Sequence, residues 1–320
     1  MIQKHVVNDT GQAEQPDFSV ITTCYYEEAT IERFHAQLHA ALESLGRSYE
    51  IILVNDGSTD GTFAKIRSIF QQDSHVHVAL DLFKNAGQQA AITAGICHAR
   101  GRAIVLMDSD LQLTPEELPR LVSEYDKGYD VVTGYRKNRQ DSLLRTIPSR
   151  LANTIMRKAS DSTFRDFGCT FKIYNARLVR AFELGPNRIF SNIDLISKAQ
   201  RCCEVPVSHF PRPHGKSGFT FAKLWRYNTD NLVILSERPF QYLAVICLVL
   251  SMLFILRIIG GFVAPFEILS QVTTGMLLNA IVVGLLVTLA TLSVLGEFAI
   301  RSFLFSRGLP RYIVREIIER

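Results

Sequence analysis

The sequence predicts an α/β fold, a mostly parallel sheet with helices on both faces, followed by helices directed at a membrane. Three observations predict it. Short apolar runs that end in polar residues recur early in the chain, with room for a helix between them. One such run, Ala103-Ile-Val-Leu-Met107, leads into two aspartates one residue apart, Asp108 and Asp110. Beyond about residue 239 the chain turns into two long apolar stretches. Continuous apolar runs of this length read as strands buried on both faces of a parallel sheet. In open α/β sheets, ligands bind beyond the carboxyl ends of the strands.

The first strand is Phe18-Ser-Val-Ile-Thr-Thr-Cys24, ending at Tyr25, Tyr26, Glu27 and Glu28. The second runs from Glu50 into Asn55-Asp56-Gly57. Gly57 and Gly61 permit tight turns there. Asp56 stands where it would accept hydrogen bonds from a nucleoside, although a cap on the helix after Ser58 and Thr59 is an alternative reading. The third is the run before Asp108 and Asp110, which can both turn hard oxygens toward one cation. Two carboxylates beside a diphosphate describe a Mg²⁺ or Mn²⁺ site with positions left for substrate. A solvated Asp-Ser-Asp turn is the bland alternative, but it does not account for three strand ends of one kind. Asp130-Val-Val-Thr133 reads as a further strand.

Several segments resemble the successive signatures of inverting family-2 glycosyltransferases. They are Thr22-Thr-Cys-Tyr-Tyr-Glu-Glu28, Val54-Asn-Asp-Gly-Ser-Thr-Asp60, Leu82-Phe-Lys-Asn-Ala-Gly-Gln-Gln-Ala-Ala91, Met107-Asp-Ser-Asp-Leu-Gln112 and Thr114-Pro-Glu-Glu117. The likeness continues through Gly134–Ser142, Arg165-Asp-Phe-Gly-Cys169, His209–Ser217, Leu295-Gly-Glu297 and Pro310–Arg315. That set is similar to polyprenyl-phosphate glycosyltransferases, including the undecaprenyl-phosphate 4-deoxy-4-formamido-L-arabinose transferases and the dolichol-phosphate mannosyltransferase-like enzymes.

The resemblance implies the GT-A nucleotide-sugar fold and a nucleotide-sugar donor, UDP favoured over GDP. It implies a polyprenyl phosphate acceptor such as undecaprenyl phosphate. A hydroxyl of a lipid-linked saccharide is the alternative acceptor. Glu27 and Asp56 would contact the nucleoside, Asp108 would serve donor and metal, and Gln112 would join Asp108 and Asp110 as a metal ligand. Asp110 and Asp166 are the catalytic candidates, Asp166 as a base, an orienting group or a structural carboxylate. Related enzymes form tetramers, so a homo-oligomer is expected.

A site for a lipid phosphate should be basic, since the donor already carries a diphosphate. Arg136, Arg139, Arg145, Arg212, Lys216 and Ser217 are the candidates, because guanidinium forks match phosphate oxygens. The resemblance ranks Arg136 and Arg212 first; surface arginines are otherwise most often solvated. Two departures stand out. Tyr26 replaces a common asparagine, and Thr170 stands where some lipid-phosphate glucosyltransferases carry an aspartate. His98, His209 and His214 receive no catalytic role. Gly215-Lys216-Ser217 lacks the upstream glycine of a P-loop.

The chain divides on paper into a polar extension (1–17), a catalytic domain (18–215), an interfacial amphipathic region (216–238), two transmembrane helices (239–300) and a basic tail (301–320). From Met276 to Gly296 no residue is charged, which suits a hydrocarbon core of ~30 Å. The earlier run from Phe240 is interrupted at Arg257. Trp225, set among Lys216, Lys223 and Arg226, suits an interfacial anchor. Five arginines against two glutamates in the tail orient it to the cytosol by the positive-inside rule, and two spans bring the catalytic domain to the same side. The expected location is therefore the cytosolic face of a bacterial membrane. No signal peptide is legible at the start of the chain. The net charge of +4 is too mild to imply nucleic acid, and the six cysteines lack metal-site spacing.

Overall fold

The computed structural model describes residues 15–137, 164–210, 274–306 and 308–320. Arg139, Arg145, Arg212, Lys216, Ser217, the interfacial region and the first apolar run lie outside the described residues. The chain forms two compact units, Met1–Leu235 with Pro310–Arg320, and Ser236–Leu309.

The first unit begins β1 (Phe18–Cys24), α1 (Ile31–Glu43), β2 (Tyr49–Asn55), α2 (Thr62–Gln72), β3 (Val76–Leu82), α3 (Gln88–Ile96) and β4 (Ala103–Asp108). A single 3₁₀ turn at Pro115–Glu117 leads into α4 (Leu118–Tyr125) and β5 (Val131–Lys137). After them come β6 (Lys172–Asn175), α5 (Ala176–Arg180), α6 (Asn192–Lys198) and β7 (Cys202–Ser208). The second unit supplies α7 (Thr274–Ser306), and the chain returns to the first as β8 (Val314–Glu319).

The eight strands form one sheet in the order β7-β5-β6-β4-β1-β2-β3-β8. β3, β2, β1 and β4 are mutually parallel, whereas β6 and β8 run against their neighbours. The expectation of a mostly parallel sheet with helices on both faces is met. Successive residues of the central strands enter opposite cores. Val20, Ile51, Leu53 and Val105 pack with Phe34 and Leu38 of α1, Ile66 of α2 and Leu121 of α4. Ile21, Ile52, Val54 and Ile104 pack with Ala91 and Ala94 of α3, Val179 of α5 and Ile193 of α6. Burial on both sides is why these strands carry apolar runs rather than alternation.

The chain order reverses at β1, with β2 and β3 on one side and β4 on the other. Such a switch point leaves a crevice at the carboxyl edge.

Part of the segment expected as a basic tail, 301–320, forms a strand of the sheet. β8 pairs antiparallel with β3, Leu80 opposite Ile317, and so covers the sheet edge. Its arginines are engaged by protein. Arg315 lies 3.3 Å from Asp81 and donates to the Phe83 carbonyl at 2.6 Å, and Arg320 lies over the Phe70 ring. Glu316 accepts two bonds from Arg67, at 2.7 and 2.8 Å. The strand alternates half-buried and exposed residues, so its sequence shows no apolar run to mark it as a strand.

In the second unit, α7 is a 33-residue helix whose side chains are described only in part. Among those, Ile281, Leu285, Leu292, Phe298, Ile300 and Phe303 are all exposed. Among the described residues, no helix is long and apolar enough to cross a membrane.

Candidate active site

The crevice is built from the carboxyl ends of three adjacent strands. The register sets Cys24 of β1 opposite Asn55 of β2, and Thr23 opposite Asp108 of β4. Parallel pairing therefore delivers Asp56 and Asp108 to either side of β1 at one edge.

Asp56 is buried, and its carboxylate is held by donors from one loop. Ala86 N donates at 2.7 Å, Gly87 N at 3.1 Å and Asn85 Nδ2 at 3.0 Å. Burial nevertheless pushes its pKa up to about 6, against the lowering by the Ala86 and Gly87 amides. The loop can approach this closely because of Gly57. It has φ +66°, and a Cβ there would stand 2.3 Å from the Lys84 carbonyl carbon. Asn55 bonds Asp81 at 2.7 Å, the carboxylate that Arg315 of β8 faces. The terminal strand thus supports the residue beside Asp56.

Glu27 is also buried, and its carboxylate accepts a bond from Thr30 Oγ1 at the start of α1. Its amide donates to Thr62 Oγ1 at 3.0 Å. Next to it Tyr26 adopts φ +57°, a left-handed conformation that asparagine tolerates better than tyrosine. The common asparagine at this position has a backbone reason.

Asp108 and Asp110 face one small cavity of about 50 Å³, shared with Gln112, Leu113, Arg136, Gly168, Cys169, Thr170 and His209. Asp108 is held on both oxygens, by Gln88 Nε2 and Thr170 Oγ1, each at 2.5 Å. Asp110 is buried and accepts the Gln112 amide at 3.1 Å. The turn between them passes through Leu111 at φ +57°. Four of the predicted residues, Asp108, Asp110, Gln112 and Arg136, are brought together here. Two carboxylates and an amide side chain in one cavity are the oxygen-rich donors that suit Mg²⁺ or Mn²⁺.

Arg136 and Asp166 form a bidentate pair. Nε donates to Oδ2 at 2.7 Å and Nη2 to Oδ1 at 2.9 Å, with side chains 16% and 11% exposed. Gly168 N adds a bond to Oδ1 at 3.2 Å. Glu204 fixes the segment by accepting from Arg165 N at 2.7 Å and Asp166 N at 3.0 Å. A carboxylate engaged on both oxygens by a guanidinium aims that guanidinium.

Behind the cavity lies Lys172, which is fully buried. Its Nζ donates to Thr133 Oγ1 at 2.8 Å and to the Cys169 carbonyl, and burial lowers its pKa. Lys172 thereby supports the turn that presents Thr170. Sequence reasoning did not assign Gln88, Thr170, His209 or Lys172 to the site. Gln88 lay inside a quoted motif, and the hydroxyl of Thr170 occupies the position noted as a departure. His209 opens the His209–Ser217 segment and received no catalytic role, whereas β7, which ends at Ser208, carries it to the cavity lining.

Residues 19–182, just over half of the chain, match the family Glycosyl transferase family 2. The chain is 32% identical over 310 residues to the undecaprenyl-phosphate 4-deoxy-4-formamido-L-arabinose transferase of Edwardsiella ictaluri, with 94% of each chain covered. Among solved structures it resembles the glucosyl-3-phosphoglycerate synthase of Mycobacterium tuberculosis in complex with Mn²⁺, UDP and phosphoglyceric acid. There the TM-score is 0.51 at 19% identity, covering 69% of this chain and 78% of that one. The same enzyme in complex with Mn²⁺, UDP and glucosyl-3-phosphoglycerate gives a TM-score of 0.50 at 18% identity, covering 69% and 80%. With the strand-end carboxylates, the loop on Asp56 and these likenesses in view, the chain belongs to glycosyltransferase family 2.

Proposed function

We propose that this glycosyltransferase moves a sugar from a nucleotide donor, UDP favoured, onto a polyprenyl phosphate at the cytosolic face of a membrane, with inversion at the anomeric carbon. The observation that carries the reading is the cavity where Asp108 and Asp110 stand beside Arg136, itself aimed by Asp166. The near-full-length likeness to an undecaprenyl-phosphate transferase supports the acceptor. The Mn²⁺ and UDP complexes of the structural relative support the donor and cofactor.

Asp56, with Glu27 nearby along the strand ends, holds the nucleoside. Asp108, Asp110 and Gln112 would hold Mg²⁺ or Mn²⁺, which when bound neutralises the departing diphosphate. Gln88 and Thr170 fix Asp108 so that its oxygens do not reorient during the reaction. Arg136 receives the acceptor phosphate and orients one oxygen toward the anomeric carbon, opposite the leaving group. A phosphate is largely deprotonated at neutral pH, so no strong base is required. The pairing of Asp166 with Arg136 weighs against the alternative hydroxyl acceptor, because a carboxylate held on both oxygens is a poor base. Arg139, Arg145, Arg212, Lys216 and Ser217 are proposed to extend the phosphate site.

The two apolar stretches of residues 239–300 support the proposal that a membrane holds the second unit, and a homo-oligomer, tetramer favoured, is proposed as its assembly. Carbonate-washed membranes should retain the full chain; complete release into the wash would remove the membrane assignment. A panel of radiolabelled nucleotide sugars, offered with undecaprenyl phosphate in detergent, tests the reaction. One donor should give a chloroform-soluble product that EDTA abolishes and that Asp110→Ala lowers roughly 100-fold or more. No product from any donor, with folded, nucleotide-binding protein, would refute the proposal.

A further inference from the structure

Away from the crevice, three imidazoles converge on one carboxylate. His35 and His39 stand four residues apart on α1, hence on one face of it. Asp73 and His75 lie in the turn between α2 and β3. His35 Nε2 is 2.8 Å and His39 Nδ1 3.2 Å from Asp73 Oδ2, and His75 Nδ1 is 3.1 Å from Oδ1. β3 begins at Val76, so this turn sits at the amino edge of the parallel strands. Asp56 and Asp108 occupy the opposite edge.

The geometry suits a metal ion. Ligand atoms of His35, His39 and Asp73 all lie within 4.8 Å of one another. Ligands of a tetrahedral Zn²⁺ with bonds of about 2.0–2.1 Å stand roughly 3.3 Å apart, close to the separations from Asp73 Oδ2. The remaining carboxylate oxygen is already held as an outer partner holds a ligating carboxylate. Both the ring and the amide of His75 reach Asp73 Oδ1, the amide at 2.8 Å. The His75 ring is fixed in turn by stacking on Tyr49 at 4.4 Å. With side chains 15%, 39% and 10% exposed, His35, His39 and Asp73 are sheltered yet reachable by an ion.

We propose that His35, His39 and Asp73 form a second metal site, selective for Zn²⁺, with water completing the tetrahedron. Two imidazoles and one carboxylate favour Zn²⁺ over the hard cations suited to Asp108 and Asp110. The bound ion would tie α1 to the turn before β3. α1 begins at Ile31, four residues after Glu27, so the ion would restrain the helix that follows one wall of the crevice. This site is independent of the sugar and acceptor proposed above.

The test uses the untagged, metal-stripped full chain carrying Asp108→Asn and Asp110→Asn, so that the crevice contributes nothing. Calorimetric titration with Zn²⁺ in excess Mg²⁺ should show one equivalent bound, with a raised Tm. Co²⁺ should give the intense visible absorption of a tetrahedral site. His39→Gln, on a half-exposed ring where the fold is not at risk, should weaken Zn²⁺ binding at least roughly tenfold. His35→Gln should do the same, and His98→Gln should not. Absence of saturable binding, or binding unchanged in both His35→Gln and His39→Gln, would overturn the site and leave Asp73 a hydrogen-bonded carboxylate.

Discussion

Asp56 is a carboxylate whose burial and whose hydrogen bonds pull in opposite directions, and burial prevails, lifting its pKa from 3.8 to about 6. Between those values the folded protein keeps a proton that the unfolded chain has released. Stability from this group therefore falls as the pH rises through that window. Urea unfolding of wild type and Asp56→Asn at pH 4 and pH 7 should show the wild type losing about 2–3 kcal/mol relative to the variant. An unchanged difference would mean that Asp56 titrates as an ordinary carboxylate. The same ionisation bears on function, since the charged form is the stronger acceptor for a nucleoside. Residues that chemistry constrains were the legible ones: Asp108, Asp110 and Gln112 share the cavity as expected. Thr170 and Gln88 were not legible, because a hydroxyl and an amide acquire their roles only once folding brings them to Asp108 from elements 62 and 20 residues away. An orienting role for Asp166 was legible, and the fold supplies its partner through the bidentate pairing with Arg136. That pairing supports the proposed orienting reading of Asp166, one of the three that the sequence left open.

At the scale of elements, β1, β2 and β4 were legible because strands buried on both faces must be apolar throughout. β6 was harder, since it has only four residues and includes the buried Lys172. β7 carries Pro206, which fits its place at the sheet edge, where a missing N–H costs no internal ladder bond. The sequence shows β8 only as part of a basic tail, because its charges find partners in distant elements. Its contribution is measurable. Truncation after Leu309 removes buried Tyr312, the cover of the β3 edge and the Arg315–Asp81 contact behind Asn55. Burial of one large side chain is worth about 1.5–3 kcal/mol, and the lost strand pairing adds to it. The truncated chain should unfold at lower denaturant by at least about 3 kcal/mol and lose nucleotide affinity. Unaltered stability in chemical denaturation would show that β8 is dispensable to the sheet.

At the scale of the whole molecule, one chain carries a family-2 catalytic unit and a second unit whose described helix exposes large apolar side chains. The proposed lipid acceptor would account for that combination, because a phosphate anchored in a bilayer can be reached only by an enzyme held at its surface. The central claim is that the acceptor nucleophile is a phosphate monoester, received by Arg136 beside Asp108 and Asp110. The most direct measurement supplies undecaprenyl [³²P]phosphate as the acceptor with the active nucleotide sugar and a divalent cation, then treats the extracted lipid with phosphatase. Transfer to the phosphate converts a monoester into a diester. The account predicts phosphatase-resistant ³²P-lipid from the wild type and none from Asp110→Ala. Asp166→Asn, which leaves Asp108 and Asp110 in place, should form it at a reduced rate. If sugar reaches a lipid product while all ³²P stays phosphatase-sensitive, the acceptor is a hydroxyl and the central claim is contradicted.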